Sequence, residues 1–402
     1  MYDVVIIGSG ISGLYSAYKL QDKYSKIAVL EKSDTIGGRI CTVKWYGSNI
    51  EAGAGRLNQT HRLYKSLLKE LNIKTIPISG KISYYDEKSP FHQQNPFDYI
   101  TKVLDSAKHK SVKLLQSTKF IEYAESVLKP DEIQFVKSAF GYYEQLVNMN
   151  TYNAIKLFSK GMHTKNHFSI VDGGMSNVIH ALYDKLAKDR CTVFCNQEVL
   201  SIDYQDSCFH FTISNSRETI QAKRCIAAIP KHDLLSFTYC KPYKPLLLNI
   251  NVKILCRIYA KFDRKDIWFD ELPKTTVSNE IRYIIPIDRE KGIIMISYTD
   301  SKYAKYWGSM PNKKAMIDTL HEKIQEALNI TIAKPKDVCA FYWNTGTAYW
   351  KPNVDSRKIS AKVLQPDTSR EFYICGENYS ESQGWIEGAL ETSNHVIRKM
   401  TH

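Results

Sequence analysis

The sequence predicts an α/β fold in which a parallel-sheet domain is interrupted by a second, α+β domain. Three stretches carry that reading. The chain opens as a short apolar strand, a glycine turn and a helix. It closes alike, with apolar residues 372–375, the loop Gly376-Glu377-Asn378 and a helix opening near Ile386. Between them, helix-period segments give way to a strand at 251–262 whose apolar residues alternate with largely polar ones. A chain of 402 residues is long enough for two domains with good cores. We assign 1–79, 171–235 and 341–402 to the first domain, and 80–170 (helical) and 236–340 (sheet) to the second.

The opening reads Asp3-Val4-Val5-Ile6-Ile7-Gly8-Ser9-Gly10-Ile11-Ser12-Gly13. Gly8 permits the turn, Gly10 lets backbone approach a diphosphate, and Gly13 allows close packing of helix on strand. Free N–H groups at the helix start, with Ser12 among them, face the phosphates. A second strand at 27–30 ends in Glu31, placed to accept a hydrogen bond from a ribose hydroxyl, with Lys32 beside it. A strand before the glycines, a helix behind them and an acid about 20 residues on together predict a Rossmann-like dinucleotide site. Gly37-Gly38-Arg39 then offers a second approach of backbone to pyrophosphate, with a guanidinium held there.

The loop Glu51-Ala52-Gly53-Ala54-Gly55-Arg56 is glycine-rich and is followed by a helix carrying Tyr64, Leu67, Leu68 and Leu71 on one side. Either it passes tightly over something flat, or it is a plain turn. Residues 112–124 and the run Ile133, Val136, Phe140, Tyr143 and Val147 repeat near helical period. After Gly173-Gly174 comes a helix, then short strands at 191–194, 199–203, 208–213 and 225–229. At 251–262 the alternation sets Val252, Ile254 and Cys256 against a core and Lys253 on the opposite face. Strands at 281–287 and 292–298 and a helix at 313–328 complete the second domain. Glu377, directly after the last strand, suits ribityl hydroxyls, near the positive end of the final helix.

These separated pieces resemble the flavin amine oxidases, the group that includes monoamine, polyamine and L-amino-acid oxidases. The resemblance rests on the opening fingerprint with Gly37-Gly38-Arg39, the 51–56 loop, the Lys253 strand and the run from Gly376 to Glu391. It implies a glutathione-reductase-like FAD-binding domain with an amine-oxidase-type substrate domain. It implies FAD held by Gly8, Gly10, Ser12, Gly13, Glu31, Lys32, Gly38, Arg39, Gly55, Arg56, the backbone of Val199, Gly376, Glu377, Trp385 and Ile386. It implies that Lys253 holds a water by the flavin, that Trp385 forms one aromatic wall, and that Tyr349, with Trp350 as competitor, forms the other. Arg56 resembles the carboxylate clamp of L-amino-acid oxidases, although it could instead touch the flavin or brace its loop. His61 is a helix-start residue or a substrate-side base. The segment Gly346-Thr347-Ala348-Tyr349 lacks the thiol that carries covalent flavin in monoamine oxidases, so we expect non-covalent FAD. The implied reaction oxidises a primary or secondary amine or an L-amino acid to an imine, with O2 reduced to H2O2. Desaturases of the phytoene or protoporphyrinogen type share the terminal motifs, but Lys253 and Trp385 argue against them. A flavin-binding protein without turnover is the other alternative.

Composition narrows the setting. The formal charge of +13 is spread along the chain, so we expect a solvated basic face and no nucleic-acid partner. Nine scattered cysteines without a CxxC pair predict a reduced, cytoplasmic or otherwise intracellular protein with no structural metal. The first strand begins at Asp3, no run reaches the roughly 18 apolar residues of a span, and no apolar tail is present, so we expect neither leader nor membrane anchor. A homodimer is left open.

Overall fold

The computed structural model describes residues 1–80, 82–86, 91, 94–161, 167–214 and 219–401. A seven-stranded sheet organises the first half of the architecture. Its parallel part runs Cys191–Phe194, Ile27–Leu30, Tyr2–Ile7, Ile220–Ala227 and Phe372–Ile374. Val199–Gln205 and Cys208–Ile213 extend it antiparallel. Side chains alternate between two cores, as period two requires. Val4 and Ile6 enter the core under the helices Ile11–Leu20, Ser176–Asp184 and Ile386–Thr401, while Val5 and Ile7 enter the other. Strands buried on both faces have no polar side, which is why Val4 to Ile7 and Ile27–Leu30 are continuously apolar.

Register brings the strand ends level. Ile7 pairs with Leu30 and Ala227, Leu30 with Phe194, and Ala227 with Ile374. Gly8, Glu31, Ala228 and Gly376 therefore leave the sheet at one edge, the carboxyl ends of its strands, where such folds place ligands.

The second sheet has six strands in the order Asp337–Trp350, Ile250–Lys261, Ile293–Asp300, Tyr283–Asp288, Thr275–Val277 and Ser83–Tyr85. One face carries Cys256, Ile258, Ala260, Ile294 and Ile296 beneath the helices Ser301–Gly308 and Lys313–Leu328. The other face looks towards the first domain. Helices between Pro96 and Lys156 form a separate aromatic core that meets this sheet at Tyr283 and Tyr349.

Local departures have physical causes. The 112–124 segment is two helices, Val112–Ser117 and Phe120–Glu125, because Thr118 is extended and Lys119 bridges Asn150. The strand expected from 281 starts at Tyr283, after Arg282 takes φ +61° and buries its guanidinium against the carbonyls of Ser138, Ser278 and Phe140. The strand Asp337–Trp350 crosses the boundary drawn at 340/341 and pairs with Ile250–Lys261 from end to end.

Candidate active site

One cavity of about 1230 Å³ runs from the edge of the first sheet to the open face of the second. It exceeds the roughly 300–1,000 Å³ of most ligand clefts, as an extended cofactor plus a substrate require. At its first end lies the glycine turn. Gly8 has φ +99°, and a Cβ on Gly13 would stand 1.9 Å from the Gly8 carbonyl, so Gly13 is a packing residue and does not line the cavity. Gly10 does line it, with no atom nearer than 3.9 Å to its missing Cβ. The second glycine pair is stitched to the first: Ser9 accepts from the Gly37 amide at 3.1 Å, and Gly38 lies against Gly10.

Glu31 is buried beside the turn, its Oε2 accepting from the amide and hydroxyl of Ser9 at 2.9 and 2.8 Å. Val199 lines the same end, as does Lys32, which is ion-paired with Asp233 at 3.2 Å. Ser12 also lines the cavity, its hydroxyl 3.4 Å from the Ala389 carbonyl of the last helix.

Glu377 differs from the expected hydroxyl acceptor. Its carboxylate already accepts from Arg39 at 3.0 Å, the Asn378 side chain at 2.9 Å, the Ala348 amide at 3.1 Å and the Gly384 amide at 2.6 Å. It ties Arg39, the long Asp337–Trp350 strand and the last loop together at mid-cavity. Gly376, at φ +129° with nothing within 4 Å of its missing Cβ, leaves bare backbone facing that space.

At the second end the strand Ile250–Lys261 presents Lys253, Leu255, Arg257 and Tyr259 to the cavity. The alternation is as the sequence implies, but the face opposite the core is interior. Lys253 is 3% exposed. Burial pushes its ammonium towards the neutral form, opposed by Asp300, Tyr298, Glu377 and Glu144. Its Nζ lies 5.9 Å from the Tyr142 ring centroid. Trp385 and Ile386 line this end, Gly55 lies against Arg257, and the Arg56 guanidinium carbon sits 4.6 Å from the Phe168 centroid and 5.7 Å from that of Trp385. His61 packs edge-on against Trp385 at 4.7 Å, and burial, aided by Arg56, pushes its imidazole down to about 4.

Tyr349 is not a wall of this cavity. Thr347 is the last residue of its strand to line it, and Tyr349 packs in the helical core with its hydroxyl donating to Glu144 at 2.8 Å. Trp350 is fully buried, donating to the Ser380 carbonyl. The reason is a shift in pairing: Lys253 faces Thr347 while Leu255 faces Trp343, so residues 344–346 bulge and Trp343, Thr345 and Gly346 reach the cavity instead. Besides Trp385, Trp343 and Tyr259, the rings that line this end are Tyr142 and Tyr298, 5.3 Å apart. Arg257 and Lys274 also line this end. Arg257 could have been found in the sequence, four residues from Lys253 on one strand face. Tyr142 and Lys274 come from a helical insert and a loop, and no local pattern marks them.

Residues 11–396 match the model of the flavin containing amine oxidoreductases. The chain belongs to this family. Among curated relatives of this flavin oxidoreductase, horse amine oxidase [flavin-containing] A is 25% identical over 100% of the chain and 85% of its own length. An uncharacterized protein of Acanthamoeba polyphaga mimivirus is 22% identical over 99% and 93%. Among solved structures, putrescine oxidase bound to putrescine superposes with a TM-score of 0.80 at 15% identity, covering 99% of this chain and 98% of that one. No described helix of this family member is long and apolar enough to cross a membrane.

Proposed function

We propose that the chain holds FAD non-covalently along this cavity and oxidises a C–N bond of an amine or L-amino acid at the Lys253–Trp385 end. Membership of the family carries flavin amine-oxidase chemistry in general; the finer assignment rests on what the residues can do. Bare backbone at Gly10 and Gly376, a helix start at Ile11 and a buried carboxylate at Glu31 are the donor and acceptor set that a flavin dinucleotide needs. Arg39 would hold pyrophosphate charge, and Val199 would meet the adenine with its backbone. Bound FAD supplies a two-electron acceptor, which O2 returns to its oxidised form with release of H2O2.

The chain's own work is orientation and exclusion of water. Trp385 flanks the amine, Tyr142 and Tyr298 close the opposite side, and Lys253, biased towards its neutral amine, holds a water and exchanges a proton with it. Water then hydrolyses the imine. Cys41, a thiol on the cavity wall, has its pKa raised by burial and by Glu51, so it stays protonated and is a poor nucleophile for a flavin bond.

The observation that carries this reading is a buried lysine aimed into the same cavity that begins at the glycine turn. Purified protein should be yellow, bleach anaerobically with a substrate amine or amino acid, and release peroxide when air is admitted. Protein that cannot be loaded with FAD, or that bleaches only with carbon–carbon substrates, would sink it.

A further inference from the structure

The substrate end of the cavity is rich in basic side chains, of which the two guanidiniums carry fixed charge. Arg56, Arg257, Lys253 and Lys274 all line it. Arg257 lies 4.5 Å from the Tyr298 centroid, and Lys274 lies 4.9 Å from that of Tyr283. The Tyr142, Tyr283 and Tyr298 rings, 5.0 to 6.2 Å apart, form the hub between these cations. Arg56 is near enough to Lys274 to add to the effect of burial in driving its ammonium towards the neutral form. Tyr298 has its hydroxyl pulled down, against burial, by Arg257, Lys253 and Arg56.

Asp300, Glu377 and Glu144 act on Lys253, and Glu51 lies within reach of Arg257, but no carboxylate on the cavity wall pairs with Arg56 or Lys274. Of the carboxylates on that wall, Glu31, Glu198 and Asp233 belong to the glycine-turn end, and Glu377 is spent on its four donors. Glu51 accepts from the Met175 amide and the Thr42 hydroxyl. Among the described residues, Arg56, Arg257 and Lys274 make no salt bridge with a carboxylate. An ammonium-bearing substrate adds one more positive charge, so it must bring compensating anions with it, because unpaired buried charge is costly. A diamine would bring none.

Resting on the amine-oxidation reading above, we propose that Lys274 is a specificity-determining residue that binds a second acidic group of the substrate, making the preferred class L-amino acids with an acidic side chain. The α-carboxylate lies with Arg56 beside Trp385, and the side-chain acid reaches Lys274. No carboxylate is needed on the protein, since the substrate supplies both.

The test uses flavin-loaded protein and isosteric pairs. Glutamate and aspartate should be oxidised with kcat/KM about 10- to 100-fold above glutamine and asparagine, the range of a hydrogen bond to a charged group. Lys274→Met should collapse that ratio towards one through KM, and Lys274→Arg should restore most of it. Glutarate, which has no amine to oxidise, should perturb the flavin spectrum of wild type and fail to do so with Lys274→Met at the same concentration. Faster oxidation of the amides or of diamines, or a ratio indifferent to Lys274, overturns this inference while leaving the oxidase reading in place. Flavin-loaded protein that turns over no member of the panel overturns both.

Discussion

Lys253 and His61 both lie at the Trp385 end of the molecule's interior, and burial pushes each towards its neutral form. Burial disfavours the Lys253 ammonium, and the surrounding acids only partly oppose that. With the neutral amine as the working form, turnover should rise with pH through a limb below the 10.5 of an ordinary lysine. Lys253→Met should remove the limb and lower kcat about 100-fold or more, with the flavin-to-protein ratio unchanged. Absorbance of the purified variant and its pH–rate profile check this. His61 behaves differently. Its pKa, lowered from 6.5 to about 4, means the unfolded chain takes up a proton that the folded chain refuses. Stability therefore falls as pH drops from 6.5 towards 4, by roughly 3 kcal/mol at most from this group. His61→Gln should flatten that part of the denaturation-versus-pH curve, and an unchanged slope would refute the assignment.

At the scale of elements, the strand–turn–helix opening separates two kinds of glycine. Gly13→Ala drives a Cβ to 1.9 Å from the Gly8 carbonyl, so helix and strand must part, and we expect a clear loss of thermal stability even without cofactor. Gly10→Ala meets nothing closer than 3.9 Å, and its φ of −63° suits alanine. It should fold normally yet bind FAD weakly, because the added methyl occupies the space the diphosphate needs. Melting curves of the apo-variants, set beside FAD titration, distinguish the two. The Ile250–Lys261 strand shows the same legibility: its odd-numbered residues from Lys253 to Tyr259 face the cavity, as alternation in the sequence requires. Its partner strand was less legible. The bulge at 344–346 is set by pairing with another strand, and it moves Tyr349 out of the wall that the resemblance suggested.

Across the whole molecule, the cavity joins two sheets that are far apart in the chain, and its walls include both ends of the sequence. Ser12 and Ser393 meet across the first and last helices, and Glu387 caps the helix Arg62–Glu70 through the amides of Leu63 and Tyr64, both at 2.9 Å. A ligand lying along that seam binds only the folded form. Saturation with FAD at about 1,000 times its Kd should therefore stabilise the protein by roughly 4 kcal/mol, seen as a higher Tm for the holoprotein than for deflavinated protein. Equal melting temperatures would mean that the cofactor does not bind the folded form preferentially.

Local chemistry was written in the sequence. Glycine spacing, the acid after the second strand and the alternation around Lys253 each depend on residues a few positions apart, and steric rules act over that range. The position of Tyr142, the convergence of Lys274 with Arg56 and the occupation of Glu377 by four donors were decided only by the tertiary structure. These depend on which insert packs over which sheet face, and on where unpaired charge can be buried once all the layers are in place.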